Sequence, residues 1–109
     1  MKKSEIKFAV TVDENNLPVK IDWSADDANE KSTSKSVMIA LWDAKENNTL
    51  RIDLWTKDMM VDEMKIFYHQ CLLSMADTFD RATGETEISK EMRGFAQHFA
   101  EKLNLIKKA

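Results

Sequence analysis

A chain of 109 residues has the length of one ordinary domain, and it can bury roughly 60–70% of the surface that its unfolded form exposes. Three tryptophans and five phenylalanines are too many for a disordered tail. Nineteen acids against sixteen bases give a net charge of −3 with both signs interleaved, so no basic stripe exists to neutralise a row of phosphates, which excludes nucleic acid as a partner.

The ends and the single cysteine narrow the class further. Lys2–Lys3 and Lys107–Lys108 are short basic pairs that read as solvated termini. Met1–Glu5 runs directly into an alternating pattern, without the apolar stretch of about 7–15 residues that a secretory signal needs. No later run approaches a membrane span, so the expected location is the cytoplasm, with no direct membrane insertion. Cys71 can form no internal disulfide and has no neighbouring ligand for zinc.

Ile6, Phe8, Val10 and Val12 recur at every second residue, the period of a strand with one buried face. Val19, Ile21 and Trp23 repeat it after the turn-rich stretch from Asp13 to Pro18. Pairing Val12 with Val19, Val10 with Ile21 and Phe8 with Trp23 puts both apolar sets on one side of a hairpin. Ser24 to Lys35 holds no large apolar residue and reads as a long loop, the longest irregular piece of the chain.

A third strand is predicted over Val37–Asp43 and a fourth over Leu50–Thr56, joined through Ala44–Asn48. The fourth alternates, with Leu50, Ile52 and Leu54 inward and Arg51 and Asp53 outward. The third is apolar on both sides: Val37, Ile39 and Leu41 on one, Met38, Ala40 and Trp42 on the other. Pairing Leu41 with Ile52 and Ile39 with Leu54 places Trp42 opposite Arg51 and Met38 opposite Trp55 on the outer face.

The period changes after Lys57. Asp58 is the expected N-cap, with Asp62 and Glu63 where a helix start favours negative charge. Val61, Met64, Phe67, Tyr68, Cys71, Leu72, Met75 and Phe79 follow helical spacing, and Gly84 is the stop. A second helix starts near Thr86 or Ser89, with Ile88, Met92, Phe95, Phe99 and Leu103 on one stripe. Gly94 interrupts it, at a cost of about 1 kcal/mol against alanine, and reads as a point of close packing between the helices. The expectation is a single α+β domain over residues 1–109, a two-layer fold. A four-stranded antiparallel sheet is followed by two C-terminal helices packed on one face, with Leu41, Ile52, Phe67 and Phe99 in the core.

No constellation for catalysis emerges, and no cofactor or metal is implied. Gly84 and Gly94 are the only glycines and form no phosphate loop. His69 and His98 lie on different helices, and Cys71, two residues from His69, points roughly 200° away from it. Asp77 and Asp80 read as a solvated helical face rather than a cation site, and neither Ser74 nor Ser89 has a base to activate it. The informative feature is the outer sheet face. Met38, Trp42 and Trp55 gather there beside Arg51 and Asp53. One reading stacks Arg51 on Trp42 and covers Trp55 with Met38. The favoured reading is a protein-binding face, for a partner or for a homodimer whose sheet faces pack about 10 Å apart.

Three stretches, Thr49–Met59, Val61–Lys65 and Met75–Glu85, together with the opening Met1–Ile6, resemble the GldC family of gliding-motility proteins of Bacteroidota. The resemblance covers nearly the whole chain. Met60 departs from it, since relatives are expected to carry proline there, which bears on the helix start. The resemblance implies an accessory of gliding, linked to type IX secretion, that binds protein components of that apparatus. It supplies no catalytic or ligand residues. The strand-then-helix order is also similar to SecB-type export chaperones, which implies a holdase as the alternative, by fold analogy alone.

Overall fold

In the computed structural model β1 (Ile6–Val12) and β2 (Pro18–Ala25) pair antiparallel, bringing Phe8 opposite Trp23 and Val10 opposite Ile21 as the alternation predicts. The structure describes residues 1–106, and the basic pair Lys107–Lys108 lies outside them. Packing divides the chain into a strand body, Met1–Met59, and a helical body from Met60 onward. Each is described by itself.

In the strand body a bulge between Thr11 and Val12 sets Val12 opposite Pro18 instead of Val19. The turn beside it is organised by Asp13, whose Oδ1 accepts the backbone N–H groups of Asn15 at 2.9 Å and Leu17 at 3.0 Å. Its Oδ2 accepts from the Lys57 ammonium at 2.8 Å. The Lys57 bond, aided by the two N–H groups, lowers the Asp13 carboxyl from the usual 3.8 to about 2. A depressed carboxyl stabilises the fold above its ordinary pKa, and that contribution is lost as pH falls from about 4 through about 2. Carboxyl NMR titration should show Asp13 returning towards 3.8 in Lys57→Met, with acid unfolding moved to higher pH. A titration unchanged by that substitution would show the Lys57 contact to be inconsequential.

The expected single sheet of four strands is corrected to two sheets, of three and two strands. The expected loop from Ser24 to Lys35 instead ends β2, turns through Asp26–Asn29 and forms β3 (Glu30–Ser34), with Ile21 opposite Ser34 and Ala25 opposite Glu30. Asn29 supplies the left-handed turn residue at φ 50° and donates its N–H to the Asp26 carbonyl. β3 carries no apolar side chain, so it left no periodic trace. β4 (Ser36–Asp43) and β5 (Asn48–Trp55) form the second sheet. Their register differs by two residues from that predicted, with Leu41 opposite Leu50, Ile39 opposite Ile52 and Val37 opposite Leu54. The turn is shorter than expected, Ala44–Asn47, and a slip of two leaves every side chain on its predicted face.

In the helical body α1 spans Val61–Thr83 and α2 Thr86–Lys102. Asp58 is not the N-cap. Met60 takes that position in extended geometry, and its N–H donates to Glu63 Oε1 at 2.9 Å. The Asp58 carboxylate instead accepts the Thr56 hydroxyl, which lowers its pKa. Gly84 ends α1 at φ 72°, a conformation that costs glycine nothing, and its N–H bonds to the Asp80 carbonyl at 2.8 Å.

Among the described residues the buried apolar ones are Ile21, Ala76, Ala96 and Ala100. The expected core is therefore corrected. Leu41 and Ile52 are 53% and 47% exposed, and Phe67 and Phe99 are half-buried. In the helical body full burial falls on small positions, Ala76 on α1 and Ser89, Ala96 and Ala100 on α2, while the large residues of the stripes keep part of their surface exposed. Arg93 reinforces the contact between the helices by reaching from α2 to Asp77 at 2.9 Å and Asp80 at 3.8 Å on α1. Gly94 has no part in the contact, because a methyl group there meets nothing within 4 Å. Gly94→Ala should accordingly stabilise the protein by about 0.5–1 kcal/mol, read as a raised thermal midpoint. A lowered midpoint would refute this assignment.

Candidate protein-binding face

The five residues predicted for binding share one face of the β4–β5 hairpin. Alternation along β4 presents Ser36, Met38, Ala40 and Trp42 on this side, and β5 adds Thr49, Arg51, Asp53 and Trp55. The predicted direct pairs are corrected. Trp42 lies opposite Thr49, Met38 opposite Asp53, Ala40 opposite Arg51 and Ser36 opposite Trp55. Trp42 and Arg51 thereby become diagonal neighbours, as do Met38 and Trp55, a spacing still within reach of long side chains.

Trp42 is 66% exposed and Trp55 56%, while Met38 is half-buried. Between the two rings the Arg51 guanidinium forms a fork with Asp53, through Nε to Oδ2 at 3.2 Å and Nη2 to Oδ1 at 2.8 Å. Such a two-point bond holds the arginine flat along the strand and orders it before any partner arrives. The hairpin base is fastened separately. Thr56 donates its N–H to the Lys35 carbonyl at 2.8 Å, and Ser36 Oγ donates to the Leu54 carbonyl at 3.2 Å. At the other end Asp43 Oδ1 accepts the Lys45 N–H at 3.0 Å and Asn47 turns the chain at φ 50°.

Sequence reasoning missed that the opposite side of the same tip is also open, since Leu41, Leu50 and Ile52 are each about half exposed. Nothing in their alternation separates an uncovered inner face from a covered one.

In the helical body, a groove of about 350 Å³ is lined by Leu72, Met75, Ile88, Glu91, Met92 and Phe95. Only Glu91 among them is ionisable, so the groove assembles no acid–base pair. His69 lies on α1 and His98 on α2, the latter ring 6.5 Å from that of Phe95. Cys71 is half-buried, and desolvation pushes its thiol pKa up, away from reactivity. Ser89 Oγ donates to the Thr86 carbonyl at 2.9 Å. Among the described residues no three His, Cys, Asp or Glu side chains stand together as a metal-binding group. No helix among them is long and apolar enough to cross a membrane.

No curated protein and no solved structure matches the chain. A family model described as gliding motility-associated protein GldC-like matches residues 18–105, from the start of β2 to just beyond α2. The match takes in the whole hairpin that carries the candidate face. The chain thus belongs to the GldC-like family of gliding motility-associated proteins.

Proposed function

We propose that the protein is a cytoplasmic adaptor of the gliding machinery, linked to type IX secretion, that acts by binding a protein component rather than by catalysis. The observation that carries this reading is the pair of exposed tryptophans, Trp42 and Trp55, on one face with a pre-ordered Arg51 between them. A tryptophan buries on the order of 200 Å² when covered, and Trp, Met and Arg are the residue types that concentrate at interfaces. The Arg51–Asp53 fork adds a charged border to the apolar anchors, which suits a folded partner with a polar rim.

The test is recovery of partners from native cells with cross-linking at this face, using wild type, Trp42→Ala and Trp55→Ala. Each substitution should weaken association by about 2 kcal/mol while leaving thermal stability near wild type. Unchanged binding in both variants would remove the face from consideration. Capture of many unrelated unfolded chains, with suppression of their aggregation, would replace the adaptor by a SecB-like holdase.

A further inference from the structure

The composition of β4 does not match its position. Val37, Ile39 and Leu41 on one side and Met38, Ala40 and Trp42 on the other make it apolar on both faces, the pattern of a strand interior to a sheet. Among the described residues it pairs only with β5, so one edge is open. Exposed edges are ordinarily guarded by charge, proline or a bulge. The other strands carry such guards: β1 has its bulge and Lys7, β3 is polar throughout, and β5 carries Arg51 and Asp53. β4 has no lysine, arginine, proline or bulge, and its single charge, Asp43, stands at its last position. β3 cannot fill the vacancy, because Lys35 alone separates it from β4 and a hairpin needs a loop of about two residues or more.

We propose that the open edge of β4 pairs antiparallel with β4 of a second copy, joining two hairpins into one four-stranded sheet ordered β5–β4–β4–β5. A third strand would add a ladder of backbone bonds to the two-stranded sheet. Antiparallel pairing of a strand with itself generates a two-fold axis and closes the assembly at a dimer. That axis stands perpendicular to the sheet, so paired residues must lie on the same face and their numbers must sum to an even value. Placing Ala40 on the axis sets Ile39 of one copy opposite Leu41 of the other, and Met38 opposite Trp42. Each large apolar side chain then meets another, and the small residue occupies the centre.

The pairing uses the edge of the hairpin and leaves its outer face accessible, so it stands independently of the adaptor reading.

Sedimentation equilibrium and light scattering on the full chain should give a dimer. Ala40→Glu, which sets two carboxylates opposite each other on the axis, should weaken it by roughly tenfold or more with the circular dichroism retained. Ala40→Cys in a Cys71→Ser background should form a disulfide between copies on mild oxidation, since directly opposed Cα atoms lie about 4.5–5.5 Å apart, within the span of a disulfide. The cross-link decides the matter if the glutamate variant fails to fold. A monomer at all concentrations, a dimer without the Ala40→Cys cross-link, or a cross-link formed only to a different protein would each overturn the proposal.

Discussion

Ile21→Ala should destabilise the protein by about 2–5 kcal/mol. Ile21 is fully buried, and among the described residues it is the only large apolar side chain that is. It sits on the central strand of the three-stranded sheet, between Val10 on β1 and Ser34 on β3. Truncation removes three carbons from a site held by backbone ladders on both sides, which limits how far the surroundings can collapse into the space. The cost combines lost transfer energy with a residual cavity. Urea titration should show a lower midpoint with an unchanged slope. A loss below about 1 kcal/mol would show that the strand body does not depend on this side chain, against the usual behaviour of a fully buried isoleucine.

Ala96→Leu should cost about 3 kcal/mol, at the upper end for overpacking. Ala96 has no exposure and neither has Ala100 one turn later, and Ala76 on α1 is buried in the same way. A position with no exposed surface has no slack for three further carbons, so the surroundings must shift or the leucine must leave its preferred rotamers. Far-ultraviolet circular dichroism should persist while the thermal midpoint falls. An unchanged midpoint would mean that the surroundings of Ala96 are looser than its burial implies. Ala96→Gly, by contrast, acts through helix propensity and should cost about 1 kcal/mol.

Periodicity made much of this legible. β1, β2 and β5 alternate, α1 and α2 carry three- and four-residue spacing, and Gly84 stops α1 where a left-handed residue is required. The candidate face was legible too, because alternation alone assigns Met38, Trp42, Arg51, Asp53 and Trp55 to one side whatever the register. β3 was not, since Glu30–Ser34 is held by backbone bonds to β2 and has polar side chains on both faces. The one available trace was Asp26–Asn29, a stretch of turn formers that closes a hairpin rather than opening a long loop. The start of α1 fell at Met60 instead of Asp58 because Thr56 engages the Asp58 carboxylate. The helical stripes did not reveal that the fully buried helical positions are alanine and serine. Amphipathic spacing marks the large residues and is silent about the small ones beside them.

The fastening at the base of the β4–β5 hairpin has a consequence for how this element moves. Thr56 is buried and tied to the Lys35 carbonyl through its N–H and to Asp58 through its hydroxyl, and Ser36 adds a bond to Leu54. The far end has the Ala44–Asn47 turn, held by the Asp43–Lys45 bond, and half-exposed side chains on both faces. Fluctuations that break ladder bonds therefore begin at the turn and travel towards the base, as in a zipper closed at one end. Trp42 lies on the loosening half and Trp55 beside the clasp, so the two rings of one face differ in mobility. A docking protein would find Trp55 already in place and would have to settle Trp42, making the second contact the slower one.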